Sequence, residues 1–184
     1  MNLFSDLIEV LSKVCKGLKV LTDLTKKERE KYRDVLDETY RLIDTTLNMV
    51  IIRLGDILQE EDDVFLKGVE GLGNYDDWMK AEREFRLCKS LRAAVRETET
   101  IRDKLAGKIS TADWDALLGL MNNVLCTEGA VAGYMCDKFW ELSDSAYQSA
   151  DLANLRTGVT DLRTTLVKER QQLIKQETEL YDIL

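Results

Sequence analysis

The residues best equipped for chemistry in this chain are acids. Asp56, Glu60, Glu61, Asp62 and Asp63 place five carboxylates within eight residues and no base among them. Like charges this close repel, so the run favours a cation or a basic partner. The run has no Gly or Asn inside it, unlike an EF-hand loop. A solvated helix end is the simpler reading of the run, with a partner's basic surface or weak Mg²⁺ or Ca²⁺ binding as the alternatives. Two basic groups oppose it: Lys26, Lys27, Arg29, Lys31 and Arg33 crowd one segment, and Arg83, Arg86, Lys89, Arg92 and Arg96 recur at three- and four-residue steps. Such a stripe is a candidate surface for phosphates or an acidic protein. It could instead pair within the fold, with Glu82, Glu84, Glu97 and Glu99 or with the acid run.

The absence of His removes most catalytic templates. No Ser-His-Asp or Cys-His arrangement can form, and no Glu-x-x-His pair for a di-iron bundle. Ser-x-x-Lys and a glycine-rich phosphate loop are also missing. What remains is Mg²⁺ held by carboxylates, as in helical nucleotide pyrophosphatases, which combine Glu-x-x-Glu with Glu-x-x-Asp. This chain has Glu-x-x-Asp at Glu60–Asp63, Glu141–Asp144 and Glu179–Asp182 but no Glu-x-x-Glu. The expectation is a protein that is not an enzyme and carries no metal or cofactor.

The cysteines read as structural. Cys15 lies between Leu11 and Leu18, and Cys88 between Phe85 and Leu91, both on apolar stripes. Cys126 and Cys136 are ten residues apart, on different sides of a continuous helix. With no C-x-x-C and no signal peptide, a reducing cytoplasm is the expected location. The longest uncharged stretch, Ala116 to Thr127, has 12 residues, short of the roughly 18 to 20 that a membrane span needs. No transmembrane segment is expected.

The elements that would position these groups follow from apolar spacing. The chain has 184 residues, 45% of them hydrophobic and 33% charged, with 10 Gly and no Pro. That composition is globular, and its lack of turn formers disfavours a sandwich of short strands. Leu3, Leu7, Leu11, Val14, Leu18 and Leu21 define a first helix. Thr25 and Glu28 have capping-box spacing, and Tyr32, Val35, Leu36, Ile43, Leu47, Val50, Leu54 and Ile57 carry a second helix to about Gln59. Met49 to Ile52 is apolar all round, which predicts enclosure on several sides. A glycine- and acid-rich connection is predicted over about 60–75, the longest break in the chain.

A third helix runs from Trp78 to about Leu105, and a fourth from near Ser110 to Leu142. Glycines four apart at Gly129 and Gly133 would let another backbone approach closely. A last helix, from about Ala146 to Tyr181, places Leu155, Val159, Leu162, Leu166, Leu173 and Leu180 near a seven-residue repeat, the spacing of a coiled-coil seam. Val167, Ile174, Tyr181 and Leu184 form a second apolar line beside it, which makes Ile174 and Tyr181 candidate contacts of a homodimer.

Together these features predict an all-α protein, a single domain over 1–184 built as an elongated up-and-down bundle of about five helices, several longer than 30 residues. The short links make helices one and two antiparallel neighbours, and likewise three and four. The expected function is a non-enzymatic protein–protein interaction module, an adaptor, chaperone or regulator that presents helix faces to a protein partner. The alternatives are a membrane-directed bundle that releases amphipathic helices, and the Mg²⁺ pyrophosphatase. The formal net charge of -8 disfavours nucleic acid and leaves only peripheral membrane contact open.

Overall fold

The computed structural model describes residues 3–19, 25–85, 96, 99–100, 102–104, 112–120, 133, 136–138, 140–141 and 151–183. Every one of them is helical except Thr25, Glu60, Glu61, Gly73, Asn74 and Asp151, and no strand occurs among them. The continuous helices are α1 (Leu3–Lys19), α2 (Lys26–Gln59), α3 (Asp62–Leu72), α4 (Tyr75–Phe85), α5 (Ala112–Leu120) and α6 (Leu152–Ile183).

The apolar stripes of the sequence are the faces that meet. α2 and α6 share the most extensive interface, α1 lies on α5 and α6, α3 folds back on α2, and α4 rests on α3. Ile43, Leu47, Val50 and Leu54 of α2 are buried with Leu155, Val159, Leu166 and Leu173 of α6. Each fully buried side chain of this size contributes about 1.5–3 kcal/mol. α1 adds Phe4, Ile8, Leu11, Val14 and Cys15, so its apolar face is spent in the core. Its tie to α2 is a side-chain contact, Cys15 Sγ to Tyr40 Oη at 3.5 Å.

Two helix starts follow the local chemistry. Thr25 immediately precedes α2, and its carbonyl accepts the Arg29 N–H at 3.0 Å. The last helix begins later than Ala146. Asp151 stands just before it, its Oδ1 accepting the backbone N–H groups of Ala153 and Asn154 at 3.0 and 3.2 Å. An Asp in that position satisfies donors that have no intrahelical partner.

The expected connection over 60–75 is a helix for most of its length. Phe65, Val69 and Leu72 recur one helical turn apart and are buried, while Asp62 and Asp63 sit in the first turn, where the helix dipole favours negative charge. The acids and glycines obscured this periodicity. Gly68 has a specific reason to be there: a Cβ would lie 3.1 Å from two Ile57 side-chain atoms, so it sets how closely α3 approaches α2. The helix ends where Gly73 N–H bonds Glu70 O and Asn74 N–H bonds Gly71 O, both at 3.1 Å.

Among the described residues, nothing lies within 4 Å of where a Cβ at Gly133 would stand, so no close approach is seen there. Gly129 lies outside the described residues. The second helix is also less enclosed than its apolar run suggested. Met49, Val50 and Ile51 are buried, but Ile52 is 53% exposed.

Trp78 locks α4 onto the end of α3. Its ring is fully buried, and its indole N–H donates to Leu72 O at 2.8 Å, satisfying a carbonyl that a helix end leaves open. Trp78→Phe should keep most of the packing but strand that carbonyl, lowering unfolding free energy by about 1–3 kcal/mol. Trp78→Ala should cost about 3–5 kcal/mol. Urea denaturation of the two variants measures both, and an unchanged stability in Trp78→Phe would mean that the hydrogen bond contributes nothing.

Candidate functional site

The polar geometry that organises the molecule comes from three arginines on α6 at seven-residue spacing. Arg156 donates to Leu58 O at 3.1 Å, to Glu60 O at 2.7 Å and to Asp62 Oδ1 at 3.0 Å. Arg163 reaches Ile51 O at 3.3 Å. Arg170 grips Asp44 with two bonds of 2.6 and 3.1 Å. As numbers rise along α6 they fall along α2, so the two helices run antiparallel. Gly55 makes room for the second arginine, since a Cβ there would lie 3.1 Å from Arg163 Nε.

Arg156 therefore neutralises part of the acid run. Its guanidinium also lies 4.0 Å above the centroid of Phe65, a cation–π geometry that arginine favours. The other carboxylates, Asp56, Glu60, Glu61 and Asp63, are exposed. Ile52, one turn before Asp56, and Val64, beside Asp63, are 53% and 49% exposed. Along the chain, this exposed acidic ridge has an exposed apolar side chain toward each end.

A second arginine site joins α2 to α4. Arg53 lies 4.2 Å over the Trp78 ring and 3.7 Å from Asp77 Oδ2. Burial pulls its guanidinium below the usual range, with Asp77 and Cys136 opposing that shift. Cys136 Sγ stands 3.4 Å from Gly73 O. Burial raises the Cys136 thiol, Asp137 adds to the rise and Arg53 lowers it. The Cys15 thiol is also raised, by burial foremost. Both cysteines are free, and neither has the lowered pKa that marks a nucleophilic thiol. Among the described residues, no group of three His, Cys, Asp or Glu side chains could hold a metal ion. No helix among them is long and apolar enough to cross a membrane.

The sequence-derived partner residues are distributed differently. Arg83 belongs to α4, but its side chain lies outside the described residues, as do Arg86, Lys89 and Arg92 altogether. Arg96 is helical and exposed. Ile174 is 43% exposed on α6, while Tyr181 belongs to the same helix with its side chain outside the description. Cys88 and Cys126 lie outside the described residues too.

Apolar spacing alone misses Arg156, Arg163 and Arg170, although the signal was present. Their own seven-residue interval runs one position after the seam residues Leu155 and Leu162 and the heptad position held by Glu169. No family profile, curated protein or solved structure matches this chain.

Arg156→Met preserves much of the side-chain stem over Phe65 while removing its bonds to the end of α2 and the start of α3. The expected loss is about 1.5–3 kcal/mol, the range for hydrogen bonds to a charged group. Chemical denaturation tests it, and a loss no larger than a surface substitution gives would remove Arg156 from this role.

Proposed function

We propose that this chain is a non-enzymatic, single-domain helical bundle, built up and down with a coiled-coil-like α2–α6 pair, that works as a protein–protein interaction module in the cytoplasm. The observation that carries the reading is the acidic ridge of α2 and α3. Asp56, Glu60, Glu61 and Asp63 are exposed there together with Ile52 and Val64. Carboxylates with apolar side chains among them suit a segment that is itself basic and amphipathic, which gains steering from charge and affinity from the apolar contacts. The partner's docking segment on this reading is a basic helix, and the chain acts as adaptor, chaperone or regulator by holding it.

The test is affinity capture from a cell extract with wild type and with Ile52→Ser/Val64→Ser. A protein held by wild type, released by raised salt and lost with the double variant is the expected result. An identical captured set for both proteins would refute the ridge as the docking face. The same purified protein should not hydrolyse nucleoside triphosphates with Mg²⁺. Hydrolysis that disappeared in Glu60→Gln would replace this reading with the pyrophosphatase one.

Self-association through α6 belongs to the same proposal, because Ile174 exposes a large apolar side chain on that helix. Light scattering at tens of micromolar should give a dimer for wild type and a monomer for Ile174→Glu. A monomer in both cases would exclude it.

A further inference from the structure

Of the three arginines that α6 lays across α2, the middle one keeps open donors. Arg156 is shared among Leu58 O, Glu60 O and Asp62 Oδ1, and Arg170 holds Asp44 through two bonds. Arg163 makes one bond, from Nε to Ile51 O at 3.3 Å. Among the described residues, its Nη1 and Nη2 have no hydrogen-bond or ion-pair partner. We propose that this guanidinium is the specificity contact of the docking face and takes a carboxylate carried by the partner's helix. The proposal rests on the reading of the acidic ridge as that face.

The fork is seated on bare backbone. A Cβ at Gly55 would lie 3.1 Å from Arg163 Nε, 3.4 Å from Nη2 and 3.5 Å from Cζ, so the glycine lets the guanidinium rest against α2. A group held in place before its partner arrives loses less freedom on binding. Ile52 directly follows the residue whose carbonyl Arg163 bonds, and Asp56 directly follows the glycine that seats it. Both are exposed, and at a spacing of four they share one face of α2. Glu60, a further turn along, is exposed as well. An apolar side chain, a fork of N–H donors and two carboxylates therefore stand within about two turns of α2.

The chemistry of the occupant follows from that set. Parallel N–H groups on a planar cation match the two oxygens of a carboxylate. A phosphate fits the same fork but brings about 1.5–2 negative charges toward Asp56 and Glu60, where a carboxylate brings one. The partner's helix, basic overall, then carries an apolar residue for Ile52, a base for Asp56 and, three or four residues from that base, one acid for Arg163. The acid fixes the register of docking, because a slip by one turn would set it against Asp56.

The probe is a display library of basic amphipathic helices randomised around a fixed leucine and selected on the purified chain. Binders of wild type should be enriched in Asp or Glu at one position of the contact face, and binders of Arg163→Gln should not. In fluorescence anisotropy, exchanging that acid for its amide should weaken binding to wild type about fivefold and leave binding to Arg163→Gln unchanged. The amide peptide should bind both proteins alike, which also shows that the variant is folded. Wild-type binders without the acid, or equal weakening on both proteins, would overturn the role of Arg163 while leaving the ridge as the docking face. Binders indifferent to Ile52→Ser/Val64→Ser, or no binders at all, would remove the docking face and this proposal with it.

Discussion

Arg156 is the interaction on which the arrangement of α2, α3 and α6 turns. A helix that stops at Gln59 and restarts at Asp62 leaves carbonyls at one end and concentrates acids at the other. One guanidinium, delivered from a residue 94 positions away in sequence from Asp62, serves both. Its five donors in a fixed plane suit several acceptors at once, which an ammonium would not match. The same plane covers Phe65, so the corner is closed over an apolar side chain rather than over water. The sharp return of α3 along α2 is thereby tied to the start of α6.

From that corner the packing passes to α4. Gly68 sets the distance between α3 and Ile57, and at the end of α3 the carbonyl of Leu72 is where the Trp78 indole donates. Arg53 closes the loop by returning from α2 to stack on Trp78. Two arginines over two aromatic rings therefore bracket α3 at its beginning and its end. In each case a cation is partly withdrawn from water, and the ring face and backbone carbonyls replace some of the hydration lost.

Apolar spacing was enough to place α1, α2 and α6, because Leu and Val at intervals of three and four leave few alternatives in a chain without Pro. It failed over 62–72 for a physical reason. Phe65, Val69 and Leu72 mark one face of a short helix, but acids before them and glycines among them carry the composition of a turn. Those glycines serve packing, at least at Gly68, and the acids serve the helix dipole and Arg156. The acidic ridge was legible as a charge cluster. That it should include Ile52 was not, because an apolar residue beside Met49, Val50 and Ile51 reads as core until the neighbours of α2 are known.

The repeat that holds α2 to α6 also creates an ambiguity, and the ends of the repeat resolve it. Seven-residue spacing on both helices would allow α6 to slide by two turns and still set leucine against leucine. A slide toward the start of α2 would give Arg163 to Asp44 and Arg170 to Asp37, a favourable exchange, but it would withdraw Arg156 from Leu58, Glu60 and Asp62 and set Glu177 against Glu30. The opposite slide would place Arg163 at Leu58 and Arg170 at Ile51 and leave Asp44 facing Glu177. Hydrophobic burial barely distinguishes these registers, since the seam is alike in each. Discrimination comes from the polar positions beside it, where a misplaced charge costs more than a misplaced methylene. On this argument the Arg156 corner opposes both slides, and the opposite slide also gives up the two bonds between Arg170 and Asp44.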